Sequence, residues 1–371
     1  MRRIVLLLPI FDVIIKELRV ESTEIKFCML TRKIIYLLVF LNFLNPITSG
    51  AEDFKEKGII SLMYHRFEEN KYPTTNIKIY DFKKQIEAIK AAELEFISFD
   101  QLKKIILDKE KYSGKKIFLT VDDAFQSFYK NAWPILKTKQ IPFILFVNTR
   151  EVDARNPNYM SWDQIREIHK SKIGTIGGHS FGHEYLVEFS KEDVIKDLKK
   201  SHENYLKEIG TIPEAFSYPF GEYSSETKNI VKELGYLVAF GQHSGVIHQK
   251  EDIFELPRFP INEDYGKIDR FNFLINTSPL PYNFFKPENT LLSNNNPPNI
   301  EIEFANNVRN INCFTNEGGR WKQSEITFLD DNWIRVLLQE EFKSRRGKIN
   351  CTTKLKDNTW GWFGRQFVIT D

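Results

Sequence analysis

The segment KIFLTVDDA, residues 116–124, is the starting point for interpreting the chain. Lys116–Val121 is a short, largely apolar run with β-branched and aromatic side chains, which predicts a buried strand. Asp122 and Asp123 follow at its carboxyl end. Adjacent carboxylates repel each other unless a cation binds one of them, although two acidic residues can also cap a helix. The segment therefore predicts a strand that ends in a cation site or at a helix start.

Short apolar strands and amphipathic helices alternate through residues 52–275. This alternation predicts parallel βα units and favours a (β/α) barrel. A doubly wound open sheet is the alternative, but no Gly-x-Gly-x-x-Gly follows a strand, so dinucleotide binding has no support. The predicted strands cover 59–64, 116–121, 141–148, 172–177, 215–218 and 236–241, and the predicted helices cover 81–92, 125–138, 162–171 and 190–209, with another beginning at 224.

A histidine pair follows another of the predicted strands. Residues 177–183 read GGHSFGH, and the glycines favour a loop in which His179 and His183 converge. Two neutral imidazoles and a carboxylate form a typical zinc site with open positions, and the same ligands suit non-heme iron. Because barrel active sites collect at the carboxyl ends of the strands, we expect the histidines and the aspartate pair to meet there.

A third segment, FSYPFG at residues 216–221, forms a Pro-aromatic-Gly turn after a strand. Such a turn would direct backbone N–H groups toward the barrel mouth. We therefore expect Tyr218 and Phe220 to contact the substrate or its oxyanion. The alternative is a turn with no role in binding.

In their order and spacing, residues 120–124, 179–183 and 218–221 resemble the first three motifs of the polysaccharide deacetylases, which are carbohydrate esterase family 4 with a NodB-like fold. The resemblance covers about residues 58–275. It implies a distorted (β/α) barrel and a metal-dependent hydrolase that removes acetyl groups from N-acetylated sugars of a polysaccharide.

The resemblance also implies a role for each motif residue. Asp122 would be the general base. Asp123, His179 and His183 would hold a divalent metal, for which zinc is expected. The tetrahedral oxyanion would be stabilised by the metal and by a backbone N–H near Phe220.

The segment SLMYHR at residues 61–66 is similar to one branch of this family, which includes the poly-β-1,6-N-acetylglucosamine deacetylases. In that branch an early histidine replaces the late catalytic histidine of other members. The resemblance implies that His65 is the general acid. His243 and His248, in the loop after a predicted strand, are the alternatives.

Two positions depart from the family pattern. Ala124 stands where the family usually has glycine, and Ser217 stands where it usually has an arginine that pairs with the catalytic aspartate. Arg258, in the segment LPRFP, is expected to supply that charge from another strand. The alternative is that Arg258 is an ordinary surface residue.

Residues 1–51 resemble a targeting segment more than a folded domain. Arg32 and Lys33 precede an apolar run that ends near Leu44, and small residues follow up to Ala51. This pattern predicts a secretory signal peptide, with Met29 as a natural start. We therefore expect an exported protein, periplasmic or extracellular. It would contact the membrane only if this segment stays uncleaved as an anchor.

The last part of the chain loses the helical period. Prolines and asparagines in residues 276–298 predict a linker, and alternating residues in 299–371 predict a small β-sandwich-like module of unknown role. Cys313 and Cys351 fall in this module, where a disulfide is plausible in an oxidising compartment. Four tryptophans there are candidates for stacking on sugar rings or for the module core: Trp321, Trp333, Trp360 and Trp362.

The overall composition excludes some functions. With 42% hydrophobic and 27% charged residues the chain has globular composition, and its formal net charge of +2 argues against a nucleic-acid partner. A nearly neutral chain fits an uncharged acetylated sugar polymer. The alternatives are an O-acetyl esterase, a chitin or peptidoglycan deacetylase, and a non-catalytic carbohydrate-binding protein.

Overall fold

A parallel sheet forms the first part of the protein, whose computed structural model describes residues 57–308 and 310–370. The strands of this part are β1 (Ile59–Tyr64), β2 (Arg66–Phe67), β3 (Asn76–Ile77), β4 (Glu95–Phe96), β5 (Lys116–Val121), β6 (Phe143–Val147), β7 (Gly174–Gly178), β8 (Ala215–Ser217), β9 (Val238–Phe240) and β10 (Phe259–Pro260). The sheet has the strand order β10-β1-β5-β6-β7-β8-β9, and β4 pairs with β5. Strands β2 and β3 pair with each other in a separate two-stranded sheet.

The sheet closes through an irregular segment between its two outer strands. The backbone N–H of Ala239, in β9, donates to Ile253 O at 2.8 Å, and Leu256 donates back to Ala239 O at 2.9 Å. The same segment continues into β10, which pairs with β1 in parallel register. This closure makes the sheet a distorted (β/α) barrel and confirms the predicted fold class.

Helices pack around the barrel, and several begin at serine N-caps. Ser98, Ser161 and Ser224 each form a capping box, and Ser190 accepts a hydrogen bond from Asp193 N. The helices cover the faces of the sheet, so that β1 and β6 are buried along their whole lengths. They are α1 (Ile79–Ala91), α2 (Phe99–Ile106), α3 (Trp133–Lys139), α4 (Thr149–Asp153), α5 (Trp162–Ser171), α6 (Lys191–Ile209), α7 (Ser225–Glu233) and α8 (Ile268–Ile275).

The C-terminal part consists of two sheets with a common apolar core. One sheet has the order β11-β19-β18-β14-β15 and the other β12-β13-β17-β16, which confirms the predicted β-rich region. Cys313 and Cys351, on neighbouring strands of the first sheet, form a disulfide. The strands are β11 (Thr277–Pro279), β12 (Tyr282–Lys286), β13 (Ile300–Phe304), β14 (Asn312–Thr315), β15 (Lys322–Gln323), β16 (Glu325–Phe328), β17 (Trp333–Leu337), β18 (Arg346–Lys354) and β19 (Trp360–Val368).

The prediction of a linker at residues 276–298 is wrong in part. The structure has two strands there, β11 and β12, and each lies at the edge of its sheet. An edge strand tolerates proline because one side of it forms no ladder hydrogen bonds, so the prolines of this segment do not prevent pairing. The C-terminal β-structure therefore begins at Thr277.

The predicted targeting segment, residues 1–51, lies outside the described residues. Among the residues that the structure does describe, no helix has the length and apolar character needed to cross a membrane.

Candidate active site at the carboxyl ends of the barrel strands

Asp123, His179 and His183 meet at the carboxyl ends of β5 and β7. Asp123 Oδ1 lies 3.4 Å from His179 Nε2 and 3.2 Å from His183 Nε2. One possible ligand atom from each residue lies within 4.8 Å of the others. Asp123 Oδ1 and His179 Nε2 are buried, and neither has a hydrogen-bond partner among the described residues. A divalent metal would satisfy both atoms, so these three residues fit a metal site.

The tautomer of His179 suits metal binding. Its Nδ1 lies 2.6 Å from the backbone carbonyl of Ser217, at the end of β8. A carbonyl oxygen only accepts, so Nδ1 carries the proton and Nε2 keeps its lone pair. Metal-binding histidines are commonly oriented by such a hydrogen bond from the other ring nitrogen.

Left-handed backbone conformations cluster in the two turns that carry these residues. Asp123 and Ala124 have φ values of 74° and 56°, and Ser180 and His183 have values of 63° and 54°. Residues other than glycine rarely adopt such φ values, and backbone strain of this kind is concentrated at functional sites. Ala124 thus keeps, at a steric cost, a conformation that glycine adopts freely.

Arg258 makes a two-pronged contact with Asp122. Its Nη1 donates to Asp122 Oδ1 at 2.7 Å and its Nη2 donates to Oδ2 at 2.9 Å. The other three donors reach Thr120 Oγ1, Ser217 Oγ and Gly241 O, at 3.1, 2.8 and 2.9 Å. All five guanidinium N–H donors therefore have acceptors. Arg258 is fully buried, so the alternative of a surface arginine is wrong.

The surroundings of Asp122 keep its carboxyl group ionised. Burial raises its pKa, but the Arg258 guanidinium, His179 and His65 outweigh burial, so that the pKa lies below its ordinary value. A carboxylate held by one bidentate arginine still has oxygen lone pairs available to accept a proton from water.

His65 lies at the carboxyl end of β1, with its Nε2 3.9 Å from Asp122 Oδ2. Together with Asp123 and His183 it lines a cavity of about 510 Å³. Burial lowers its pKa more than the two aspartates raise it, so the imidazole tends toward the neutral form. A proton on this ring would have to come from the reaction itself.

The two alternative histidines lie elsewhere. His248 Nε2 is 2.9 Å from Glu251 Oε2, in a buried pair. His243 is also buried, and it lines a different cavity from the one that contains His65. Of the three candidates, the structure brings only His65 to the aspartate pair.

The segment at residues 218–221 has one side chain at the site and one away from it. The ring of Phe220 lies 4.5 Å from the ring of His183, with φ 60° at its backbone. Tyr218 is fully buried, and its hydroxyl donates to Phe254 O at 3.0 Å. The prediction that Tyr218 contacts the substrate is therefore wrong for its side chain, because an aromatic ring next to a strand end is drawn into the packing against α6 and α7.

Sequence reasoning missed several residues of the site. Thr120 and Ser217 accept hydrogen bonds from Arg258, and their positions at strand ends were the available signal. Arg346 and Lys348, on β18, line the same cavity as His65. No motif marks these two, and only the three-dimensional pairing of the C-terminal sheet brings them there.

Comparison with known proteins finds similarity to the barrel. Residues 109–239 match the family model "Polysaccharide deacetylase". The match includes the aspartate pair, His179, His183 and the turn at Phe220, but neither His65 nor Arg258.

Similar proteins were found among both sequences and solved structures. The poly-β-1,6-N-acetyl-D-glucosamine N-deacetylase of Staphylococcus aureus strain MRSA252 is 23% identical over 271 residues, which is 63% of this chain and 93% of that protein. The structure of IcaB from Ammonifex degensii has a TM-score of 0.55 and 22% identity, over 59% of this chain and 97% of that one. The Streptococcus pyogenes deacetylase PplD has a TM-score of 0.52 and 23% identity, over 56% and 94%. These structures support the same barrel fold.

Proposed function

We propose that this chain, whose residues 109–239 match the polysaccharide deacetylase family model, is a metal-dependent hydrolase that removes acetyl groups from N-acetylated sugars of an exported or cell-envelope polysaccharide. The observation that carries the proposal is the paired arrangement of Asp122 with Arg258, next to the cluster of Asp123, His179 and His183. One carboxylate is thereby held by arginine and the other is left for a cation.

The metal site would provide electrophilic activation. Asp123, His179 and His183 would hold a divalent cation, for which zinc suits two imidazoles and a carboxylate. When bound, the cation supplies Lewis acidity that activates water and polarises a carbonyl oxygen. The residues around it then need to move protons and stabilise charge.

Asp122 would be the general base. Its carboxylate stays ionised beside Arg258, and it would accept a proton from the water that attacks the acetamide carbon. Arg258 would hold the carboxylate in position, because two parallel hydrogen bonds fix both its oxygens.

His65 would be the general acid. An amine is a poor leaving group, so the sugar nitrogen must be protonated as the C–N bond breaks. The His65 ring faces the same cavity as Asp123, and its Nε2 lies 3.9 Å from Asp122 Oδ2. It would take over the proton that Asp122 accepts from water and deliver it to the sugar nitrogen, which leaves His65 neutral again. The products are acetate and a glucosamine unit. The backbone N–H near Phe220 would stabilise the developing oxyanion.

The same site would also serve an O-acetyl esterase or a chitin or peptidoglycan deacetylase. The similar staphylococcal proteins are named for poly-β-1,6-N-acetyl-D-glucosamine, which favours an N-acetylated polymer. The disulfide between Cys313 and Cys351 supports an oxidising compartment, periplasmic or extracellular.

Acetate release from defined glycans tests the proposal. We expect the zinc-loaded protein to release acetate from β-linked N-acetylglucosamine oligomers, and Asp122→Asn to lose at least about a hundredfold in kcat, since general base catalysis contributes about 10²–10⁴-fold. Asp108→Asn, an exposed carboxylate outside the site, is the matched control and should keep full activity.

Three results would contradict the proposal. Full activity of Asp122→Asn would remove the assigned base. Oligomer binding without acetate release, at full zinc content, would favour a non-catalytic carbohydrate-binding protein. Faster release from O-acetylated than from N-acetylated oligomers would favour the esterase.

A further inference from the structure

A second cavity, of about 500 Å³, lies beside the catalytic one, between the barrel and the C-terminal sheets. Four residues line both cavities: Pro260, Tyr265, Arg346 and Lys348. A sugar chain bound at His65 and Asp123 could therefore extend directly into the second cavity.

The lining of this second cavity is strongly cationic and contains no carboxylate. Two of its five cationic side chains form ion pairs with carboxylates that do not line the cavity. Arg345 binds the buried carboxylate of Glu222, with Nη2 2.8 Å from Oε2, and Arg365 Nη2 lies 2.6 Å from Glu255 Oε1. The other three are Arg270, Arg346 and Lys348.

These three cations lack a full counter-charge. In the described part of the chain, no carboxylate lies within ion-pair distance of Lys348 or Arg270, and Arg346 approaches only Glu222 Oε1, at 3.8 Å. Burial, together with the neighbouring Arg346, lowers the pKa of Lys348 to about 8. Two like charges held together in a half-buried position are unfavourable, and an anion between them would relieve this cost.

A buried histidine supplies a second, independent indication of a ligand. His243 lines the cavity and is only 2% exposed, yet neither ring nitrogen has a hydrogen-bond partner within the described ranges. Buried polar groups without partners are costly. Burial holds the pKa of His243 well below its usual value, so its ring is neutral and offers one donor and one acceptor, which suits a sugar hydroxyl.

Aromatic side chains complete the lining. Trp321 is 45% exposed, and Trp362 donates its indole N–H to Asn350 Oδ1 at 3.2 Å. Exposed indole faces can pack against the C–H faces of sugars, as they do against other rings. Cations, a neutral imidazole and an indole together match a charged sugar better than an inorganic ion alone.

We propose that the second cavity binds an acidic unit of the polysaccharide, one that carries a carboxylate or a phosphate and lies next to the N-acetylated sugar in the catalytic cavity. Lys348, Arg270 and Arg346 contact its anionic group, and His243 and Trp321 contact its ring. This assignment rests on the proposed deacetylase function, and it makes the substrate an acidic heteropolymer where the nearly neutral net charge had suggested an uncharged one.

Binding of defined oligosaccharides tests the assignment separately from catalysis. Calorimetry on the full chain would compare three oligomers of equal length: neutral β-linked N-acetylglucosamine, N-acetylglucosamine alternating with glucuronic acid, and N-acetylglucosamine with one phosphorylated unit. We expect at least one acidic oligomer to bind about tenfold or more tightly than the neutral one, as charge-assisted hydrogen bonds are roughly twice as strong as neutral ones. The acidic oligomer that binds more tightly identifies the anion.

Variants connect the preference to the cavity. Lys348→Met and Arg270→Met should each reduce the ratio of acidic to neutral affinity by about tenfold, while Lys343→Met, a 67% exposed lysine on the same module, should leave it unchanged. Two different side chains are used, so that a folding defect in one, detected by circular dichroism, leaves the other as the test.

Two outcomes would overturn the assignment: equal or weaker binding of both acidic oligomers, or equal loss of acidic and neutral affinity in both variants. Failure of the proposed function is distinguishable, because it would appear as absent acetate release while the binding preference and its dependence on Lys348 remain.

Discussion

Arg258 is the main group that keeps Asp122 ionised, because its guanidinium binds both oxygens of that carboxylate, while His179 and His65 lower the pKa of Asp122 further. The pair is fully buried, and every guanidinium donor is used. A buried ion pair adds little net stability over an apolar pair, but removing one partner leaves the other charge without compensation. The presence of this buried ion pair is therefore better explained by the need for an ionised Asp122 than by a gain in stability.

Substitution of Arg258 should reveal this dependence. We expect Arg258→Met to destabilise the protein by about 3–5 kcal/mol, since Asp122 would become an unpaired buried carboxylate. Arg258→Lys should be intermediate, because an ammonium keeps the charge but cannot match five acceptors in fixed directions. Urea unfolding of the three proteins measures the difference. An unchanged midpoint for Arg258→Met would show that Asp122 does not need its partner.

The pKa of Lys348 gives a pH-dependent prediction. Near pH 8 its ammonium is about half deprotonated, and a bound anion would favour the charged form and raise the pKa. Binding of an acidic oligomer should therefore take up protons near pH 8 and weaken as pH rises through the pKa. Calorimetry in buffers of different ionisation enthalpy measures this uptake, and Lys348→Met should abolish it. No uptake in the wild type would exclude Lys348 from the anion contact.

Among single residues, the sequence predicted those with metal-binding or acid-base side chains in recognisable motifs. It missed those that reach the site only through packing of distant segments. Asp122, Asp123, His179 and His183 could be predicted because they stand in motifs of specific order and spacing, each at the end of a predicted strand. Tyr218 was misassigned, since the same turn could direct its ring inward or outward.

Strand β19 holds the C-terminal sheets against the barrel. A Cβ added at Gly364 would lie 2.1 Å from the backbone oxygen of Ser244, and Gln366 donates to the carbonyl of Phe220 at 3.1 Å. The strand thus contacts both the loop after β9 and the turn that presents Phe220 to His183. The position of the turn at residues 219–221 therefore depends on an element from outside the barrel.

Two glycines of this strand make a matched test. We expect Gly364→Ala to destabilise the protein by about 1–3 kcal/mol, because its methyl group would meet rigid backbone. Gly361→Ala should have the smaller effect, as its nearest neighbours are flexible leucine side chains at 3.1–3.3 Å. Thermal unfolding compares the two, and Gly364→Ala should also lower acetate release. Equal effects would argue that β19 does not approach Ser244 so closely.

Residues 276–298 were predicted to be a linker, although they contain strands β11 and β12. Proline and asparagine are normally loop residues, and their density there resembles a linker. The edge position of β11 and β12 cannot be deduced from local sequence, because it depends on which strands pair across a distance of tens of residues. β5 was predictable because its apolar run and its flanking charges are contiguous.

The charges of the whole molecule are nearly balanced, yet they are unevenly distributed. The chain has 52 lysines and arginines against 50 aspartates and glutamates, so little long-range field is expected from its net charge. The cationic lining of the second cavity forms only when α8, β18 and β19 come together. A composition count therefore could not predict it.

This distribution leads to a salt-dependent prediction for the assembled protein. Because the attraction is local, raising ionic strength from about 0.05 M to about 0.5 M should weaken it as the Debye length falls below about 5 Å. We expect the KM for an acidic oligomer to rise several-fold over this range, while the KM for a neutral oligomer stays constant. Acetate release at matched oligomer length measures both. Parallel changes in the two KM values would indicate a general effect of salt on the protein, whereas a change confined to the acidic oligomer would support charge recognition beside the catalytic cavity.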